Sequence, residues 1–249
     1  MKRSLIAEEF KPIPIRRRAG LIGRIAFAAR MLVDLQLLTC ARFLTPALAQ
    51  MRGSVLDVGC GEMPFRGLLP DDARYTGLDV PAADDFGMRA NPEIVDFDGI
   101  VIPFANASFD HILCTEVLEH AEDPVALIAE MHRVLRPGGT LAGTVPFSAR
   151  VHHAPHDHHR FTRYRLARIF SDFDDVVIEE RGDDLAVIAN KLIVVCMRLT
   201  TPSRPWRLPL LLLAAPVAGL ALGVAHLSLR FGWGSRADPL GYGILARKA

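Results

Sequence analysis

The sequence contains little cysteine. Its four cysteines are scattered along the chain with no Cys-x-x-Cys spacing: Cys40, Cys60, Cys114 and Cys196. This usage is typical of a reducing compartment and argues against a disulfide or zinc framework. The opening residues also lack the continuous apolar stretch and the cleavage site of a secretory signal. We therefore expect a cytoplasmic protein.

Acidic residues are scarce at the start of the chain. The first 50 residues carry nine lysines and arginines against three acidic residues, although the whole chain has a net charge of only +1. Most of these cations form a basic leader, which consists of Lys2, Arg3, Lys11, Arg16, Arg17, Arg18, Arg24 and Arg30. A basic segment beside an apolar helix suits an anionic membrane surface. No nucleic-acid partner is expected, because no recognition module accompanies the charge.

Short apolar strands alternate with helical stretches through the middle of the chain. We predict strands at 54–59, 75–80, 93–97, 109–114, 140–145 and 175–181. One or two helices are expected over 21–49, one from Asp123-Pro124 to Pro137-Gly138-Gly139, and one near 162–171. Strands separated by helices predict an α/β fold with a doubly wound parallel sheet.

A glycine turn follows the first predicted strand. Val55, Leu56 and Val58 form a short apolar run that breaks into Gly59-Cys60-Gly61, where the missing Cβ atoms let the backbone turn sharply and approach a ligand. The second strand ends at Asp79, 22 residues after Asp57. A carboxylate at this position typically holds the ribose of a nucleotide. These features predict a nucleoside-cofactor site at the carboxyl edge of the sheet.

The turn is not a dinucleotide fingerprint. Pro64 stands where that fingerprint has its third glycine, and Glu62 would repel a pyrophosphate. An anionic loop suits a cationic ligand better, and S-adenosylmethionine carries a sulfonium and an ammonium group.

Here the sequence resembles the class I S-adenosylmethionine-dependent methyltransferases, whose first signature matches Leu56-Asp-Val-Gly-Cys-Gly61. Further signatures follow in the expected order over residues 54–147: Ile102-Pro-Phe104, Ala107-Ser-Phe-Asp110, Thr115-Glu-Val-Leu-Glu-His120, Asp123-Pro124 and Leu135-Arg-Pro-Gly-Gly139. The resemblance implies a Rossmann-like sheet of seven strands with the last one antiparallel, which we place at 240–246. It implies a methyltransferase domain over 51–182 plus 240–249, with a helical N-terminal extension over 1–50 and a hydrophobic helical insertion over 183–239.

The resemblance also assigns roles around the cofactor S-adenosyl-L-methionine. Asp57, Gly59, Cys60 and Gly61 would line its methionine end, and Asp79 would hold the ribose. Asp96 is the first choice for the acid at the adenine, and Asp98 is the alternative. Glu116 would face the cofactor or the acceptor, although helix capping and solvation is an equal alternative for it, as for Glu119 and His120.

The loop from His152 to Tyr164 holds five of the nine histidines and follows the fifth strand. It resembles a His-Asp-x-x-Arg-[Phe/Tyr]-Thr motif of bacterial methyltransferases from glycan and envelope pathways. We propose His156, Asp157 and Arg160 as catalytic residues, with His152, His153 and Tyr164 next. A His/Asp pair offers a general base, and arginine binds phosphate or carboxylate. The alternatives are a structural loop and adventitious metal binding. No metal site is expected, because the spacing matches no ligand template.

Residues 208–231 are apolar and long enough to span a membrane. A single crossing conflicts with the strand at 240–246, which must return to the side of the catalytic domain. We expect Pro209, Pro216, Gly219 and Gly223 to break the run into shorter helices that pack with the N-terminal helices and dip into one leaflet. The alternatives are a buried helical cap, a homodimer interface or a hairpin crossing.

The sequence thus predicts a methyltransferase at the inner face of the membrane. It would transfer a methyl group, to oxygen by preference, on a small-molecule, lipid-linked or envelope-glycan-related amphiphilic acceptor. The alternative is a non-catalytic protein of the same fold that serves as a binding or scaffold partner in an envelope complex. A nucleic-acid methyltransferase is not expected, because Thr115-Glu-Val-Leu stands where an Asn-Pro-Pro-Tyr-type motif belongs.

Overall fold

The computed structural model describes residues 13–15, 20–87, 93–200 and 205–249. Six residues of the predicted basic leader (Lys2, Arg3, Lys11 and Arg16 to Arg18) lie outside these ranges. Arg24 and Arg30 lie inside them, on the first helix.

Seven strands form one mixed sheet. They are β1 (Ser54–Val58), β2 (Arg74–Asp79), β3 (Val95–Asp96), β4 (Phe109–Thr115), β5 (Leu135–Pro146), β6 (Asp174–Arg181) and β7 (Gly241–Arg247). Their order in the sheet is β3-β2-β1-β4-β5-β7-β6. β7 inserts between β5 and β6 and runs antiparallel to both. This topology confirms the predicted fold class.

Six helices accompany the sheet in the described part of the chain. They are α1 (Gly20–Val33), α2 (Leu35–Leu48), α3 (Pro124–Val134), α4 (Arg163–Ile169), α5 (Asp184–Leu199) and α6 (Leu208–Phe231). Short 3₁₀ turns span Arg66–Leu68, Pro81–Phe86 and Pro205–Arg207.

The end of α3 differs from the prediction. Pro137-Gly138-Gly139 does not terminate this helix, because the chain is already extended from Leu135 onward and the three residues lie within β5. Leu135 is fully buried and pairs with Phe109, which starts the strand early. The Lys248 side chain donates to the carbonyl oxygens of His132 and Leu135, so these groups at the end of the helix are satisfied.

The two faces of the sheet carry separate apolar clusters. On one face, Leu56 and Val58 of β1 pack in the cluster that contains α3 and α4 residues. On the other face, Val55 packs with α2 residues such as Leu44 and Leu48. This alternation along β1 is what burial on both faces of a central strand requires. Helix α2, which lies within the predicted N-terminal extension, is therefore part of the core.

The hydrophobic insertion is a hairpin of α5 and α6. At its base, the Ser228 hydroxyl donates to Asp183 (2.6 Å) and the Ser235 backbone N–H donates to Asp184 (2.9 Å). The hairpin contacts the N-terminal helices, because His226 donates to the Leu32 carbonyl oxygen and Leu35 packs in the same cluster as α5 and α6 residues.

The prediction that α6 would break into shorter helices is wrong, since it is one helix of 24 residues. Pro209 lies in its first turn, where a backbone N–H has no intrahelical partner to lose. Pro216 lies inside the helix, and a Cβ atom added to Gly219 or Gly223 would have no atom within 4 Å. Only 11% of the most apolar 18-residue window of α6 is buried within the chain. The helix is therefore not a buried cap of this protomer.

Candidate cofactor and acceptor site

A cavity of about 700 Å³ opens at the carboxyl edge of the sheet, next to β1, β2 and β4. The sheet edge contributes the glycine turn, Asp79, Asp98 and Glu116 to its lining. The N-terminal segment (residues 13–15, α1 and α2) and α5 contribute further residues: Ile13, Ile15, Arg30, Leu37, Asn190 and Met197. A crevice outside the carboxyl ends of the strands is where open α/β sheets bind their ligands.

The glycine turn adopts a conformation that only glycine takes easily. Gly59 and Gly61 have φ values of 68° and 50°. A Cβ atom on Gly59 would lie 2.3 Å from Cγ2 of Val117. The backbone N–H groups of Gly59 and Cys60 both donate to the Leu78 carbonyl oxygen, at 2.8 and 3.1 Å. The turn is thus fixed against β2 and leaves its backbone facing the cavity without side chains in the way.

Asp79 holds the turn and faces the cavity. Its Oδ2 accepts from the Gly61 backbone N–H and its Oδ1 from the Val80 backbone N–H, both at 2.8 Å. The residue is 7% exposed and lines the cavity. Each carboxylate oxygen has further acceptor capacity, so the group can also receive hydroxyl donors from a ligand.

Asp57 lies behind the turn and does not line the cavity. The Tyr75 hydroxyl donates to its Oδ2 at 2.6 Å, while Oδ1 is buried without a hydrogen-bond partner among the described residues. Burial raises the pKa of Asp57 to about 7, against the opposing effect of the Tyr75 hydrogen bond, and the Asp79 charge raises it further. Cys60, in contrast, lines the cavity, and it also packs with Met63 and Ile94.

The two candidates for the adenine acid differ in position. Asp98 lines the cavity, and its Oδ1 accepts from the backbone N–H groups of Ile100 (2.8 Å) and Val101 (2.7 Å). These hydrogen bonds lower the pKa of Asp98. Asp96, the first choice from the sequence, is the last residue of β3 and is not part of the lining. The structure reverses the order of preference, because the chain runs two residues beyond the strand before it turns at the cavity.

Glu116 faces the cavity at the end of β4, in a left-handed conformation with φ of 55°. Its Oε1 accepts from Nη2 of Arg181 at 2.7 Å. Arg181 is buried and also donates to the carbonyl oxygens of Val145 and Tyr242. Nη1 of Arg181 contacts the Cys40 sulfur of α2. One guanidinium group thus connects β5, β6, β7 and α2 to the Glu116 carboxylate.

The histidine loop brings only part of the predicted catalytic set to the cavity. His152, His153 and His156 line it, whereas Asp157 and Arg160 do not. The Asp157 side chain is 1% exposed and accepts two hydrogen bonds from Arg160 and one from the His152 backbone N–H.

This ion pair fixes the loop. Burial opposes ionisation of Asp157, but the hydrogen bonds from Arg160 and His152 outweigh it and hold the pKa below its usual range. A carboxylate that stays ionised and paired is a poor proton acceptor. Tyr164 lies on α4 with 81% of its surface exposed, and it does not line the cavity.

The N-terminal segment and α5 line the cavity although no sequence motif assigns them to it. Arg30 donates to the carbonyl oxygens of Ile13 (2.8 Å) and Pro14 (2.9 Å), so it holds residues 13–15 beside the cavity. These contacts join residues that are far apart in the sequence, so no local sequence pattern predicts them. The Glu119-His120 pair lies within a sequence signature, and His120 lines the cavity.

The strand order, the glycine turn and the acid at the end of β2 together define a methyltransferase domain of class I. Comparisons with known proteins agree. Residues 56–143 match the family model described as a methyltransferase domain. A crystal structure of a SAM-dependent methyltransferase from Archaeoglobus fulgidus aligns with a TM-score of 0.54 at 17% identity, over 90% of this chain and 99% of that chain.

Curated relatives match over part of their length. The chain is 30% identical over 140 residues to the ubiquinone biosynthesis O-methyltransferase of Pseudomonas paraeruginosa, covering 53% of this chain and 52% of that protein. It is 34% identical over 99 residues to the 27-O-demethylrifamycin SV methyltransferase of Amycolatopsis mediterranei, covering 35% and 36%. The chain thus spans between about a third and a half of the length of these relatives.

Residues 56–143 therefore match a methyltransferase domain, and the chain shares the fold of a SAM-dependent methyltransferase. The cofactor of that class is S-adenosyl-L-methionine.

Proposed function

We propose that the protein transfers a methyl group from S-adenosyl-L-methionine to an oxygen of an amphiphilic small-molecule acceptor at a membrane surface. The observation that carries this proposal is a single cavity that joins the glycine turn and Asp79 to an apolar half lined by the N-terminal segment and α5.

The sheet edge fits the cofactor. The turn at Gly59 and Gly61 has no Cβ atoms to fill the space beside its backbone, and Asp79 would accept from the ribose hydroxyls. Asp98 lines the adenine side in this proposal. Glu62 adds a carboxyl group to the lining, which suits the positive charges of the methionine end. The cofactor supplies an activated methyl group, and the protein's task is to position the acceptor in line with it.

The other half of the cavity fits an apolar acceptor with a few polar groups. Ile13, Leu37 and Met197 give it aliphatic and thioether surface, and His153 and His156 add imidazoles. Burial lowers the pKa of His153 to about 3, with further lowering by the neighbouring His120 and His152, so its imidazole is neutral near pH 7. His156 is exposed at the cavity and is our candidate to accept the acceptor's hydroxyl proton.

Two relatives are named as enzymes of ubiquinone and rifamycin chemistry, and one is named an O-methyltransferase, which favours oxygen as the methylated atom.

Membrane association is supported by the outer surface of the helices. α6 exposes Leu210, Leu212, Leu213, Val217 and Leu220, and α1 exposes Leu21, Ile22 and Ile25. Exposed apolar surface of this extent on a monomer marks an interaction site. Trp206 and Trp233 flank α6 and are 70% and 60% exposed, as is typical of side chains at a bilayer interface. Because β6 and β7 belong to one sheet, we propose that the hairpin enters one leaflet rather than crossing the bilayer.

Calorimetric titration with S-adenosyl-L-methionine tests the cofactor assignment. We expect Asp79→Ala to reduce the affinity for S-adenosyl-L-methionine at least tenfold. It removes the proposed acceptor for the ribose hydroxyls and the hydrogen bond that fixes the Gly61 backbone. Asp96→Ala is the matched control, and we expect it to bind as the parent protein does. Equal affinity for the parent and Asp79→Ala would overturn the assignment.

A further inference from the structure

Three imidazoles converge at one side of the cavity. His120 follows β4, and His152 and His153 belong to the histidine loop. One ring nitrogen from each lies within 4.8 Å of those from the other two. These side chains come from segments separated by about 30 residues, so the fold assembles the cluster and the sequence spacing does not.

Hydrogen bonds at Nδ1 fix the tautomers of two of these rings. Nδ1 of His120 contacts the His156 carbonyl oxygen at 2.7 Å, and Nδ1 of His152 contacts the Arg150 carbonyl oxygen at 3.1 Å. A carbonyl oxygen can only accept, so Nδ1 carries the proton in both neutral rings. The other nitrogen, Nε2, is left with a lone pair. Imidazoles that bind metals in proteins commonly have this arrangement.

Glu119 lies against the same two lone pairs. Its side chain is fully buried, and neither carboxyl oxygen accepts a hydrogen bond from any residue in the described ranges. Oε1 lies 3.7 Å from Nε2 of His120 and 3.9 Å from Nε2 of His152. At these distances neither imidazole nitrogen forms a hydrogen bond with the carboxyl group, so the groups face one another across a gap. A cation in this gap would be a partner for the two lone pairs and the carboxyl oxygen.

We propose that His120, His152, His153 and Glu119 bind a divalent transition-metal ion, with Zn²⁺ as the best match. Imidazole nitrogens favour Zn²⁺ and similar first-row ions, whereas Mg²⁺ and Ca²⁺ prefer oxygen ligands. In a tetrahedral zinc site with Zn–N distances of about 2.1 Å, ligand nitrogens lie about 3.4 Å apart. The histidine cluster must therefore contract on binding. This site differs from the sequence expectation, which included no metal.

The ion would lie at the acceptor side of the cavity. There it could take the acceptor's oxygen as a fifth ligand, or in place of Glu119, and favour its deprotonated form, a role that rests on the proposed methyl transfer. Binding of the ion itself does not, and it can be measured without cofactor or acceptor. The loss of one property can thus be distinguished from the loss of the other.

The experiment uses the full chain without an affinity tag, stripped of metal by a chelator and then dialysed. Calorimetric titration with Zn²⁺ should give one site per chain. The visible spectrum of Co²⁺ in the same site should be that of a four-coordinate complex with nitrogen and oxygen ligands. Glu119→Gln and His152→Ala should each weaken Zn²⁺ binding at least tenfold. Circular dichroism and thermal unfolding verify that each variant folds, and His153→Ala replaces any variant that does not.

His158→Ala is the matched control, because His158 is an exposed histidine of the same loop that lies outside the cluster. Its Zn²⁺ affinity should stay within about twofold of the parent's. Absence of stoichiometric Zn²⁺ binding would overturn the proposal. So would binding that His158→Ala weakens and Glu119→Gln leaves unchanged, since a fully buried carboxylate takes no part in chelation by surface histidines.

Discussion

Gly59 is the residue on which the cofactor half of the site depends most directly. Its φ of 68° and the 2.3 Å approach of a Cβ to Val117 leave no room for a side chain. Gly232, which ends α6 with φ of 72°, would have no atom within 4 Å of an added Cβ. The two glycines share the backbone conformation and differ in their surroundings.

Gly59→Ala should therefore weaken binding of S-adenosyl-L-methionine at least tenfold, while Gly232→Ala should leave it unchanged. Both variants should lose about 1 kcal/mol of stability from the strained φ, and Gly59→Ala should lose more because of Val117. Calorimetry and urea unfolding measure the two effects. Similar cofactor affinity in both variants would show that the turn does not contact the cofactor.

Asp57 makes stability depend on pH. Its pKa is raised by burial from 3.8 to about 7, so between these values the folded protein binds a proton that the unfolded chain releases. The free energy of unfolding therefore falls as pH rises from about 4 to 7, by about 4 kcal/mol for a difference of this size.

Asp57→Asn should remove this slope, because the amide does not titrate and its oxygen can still accept from Tyr75. The measurement is urea unfolding of both proteins at several pH values, with the exposed Asp71→Asn as the control. A parent and an Asp57→Asn profile that stay parallel from pH 4 to 7 would contradict the buried, protonated state of this carboxyl group.

At the scale of elements, Arg181 joins the last strands to the N-terminal helix. Its guanidinium is buried and bonds Glu116, two strand carbonyl oxygens and the Cys40 sulfur. Arg181→Met should destabilise the fold by about 3–5 kcal/mol, because it leaves Glu116 and the carbonyl groups without their partner. Adding Glu116→Gln should recover part of that loss. Urea unfolding of the single and double variants tests the coupling, and strictly additive effects would contradict it.

The sequence predicts those elements whose cause is local. The β1 strand and its glycine turn follow from an apolar run and two glycines, and α3 begins where Asp123 caps the helix and Pro124 follows. α6 shows the limit of this reasoning. Its prolines and glycines predict helix breaks. Pro209 lies in the first turn, where it costs no hydrogen bond, and the helix continues through Pro216.

The cavity is predictable only at its sheet edge. The position of Asp79 follows from the end of β2. From the sequence, Asp98 ranks below Asp96 as the adenine acid, because β3 has only two residues and gives little indication of where the following turn lies. Ile13, Leu37 and Met197 reach the cavity through tertiary packing alone. The sequence pattern predicts that Asp157 and Arg160 contact a substrate, but in the structure they bind each other, three residues apart in the loop.

At the scale of the whole molecule, the exposed helices predict association with lipid. Leu212 and Leu220 are 78% and 72% exposed on α6. A double variant, Leu212→Glu with Leu220→Glu, should lose most of its binding to vesicles of phosphatidylglycerol and phosphatidylcholine, because each carboxylate would have to enter the acyl region. Flotation of the vesicles measures the bound fraction.

The control is Val125→Glu, which places one glutamate at an exposed valine of α3. It should bind vesicles as the parent does. Unchanged flotation of the α6 variant would contradict the membrane role of this helix and would favour a protein partner on its surface.

The central claim is that the cavity transfers a methyl group to an amphiphilic acceptor. The most direct measurement is incubation of the protein with isotopically labelled S-adenosyl-L-methionine and an extract of bacterial membrane lipids and glycans, followed by mass spectrometry. We expect a labelled methyl group on a component of the extract with the parent protein and none with Asp79→Ala. A parent protein that binds the cofactor but labels nothing in the extract would contradict the claim and would favour a non-catalytic binding role.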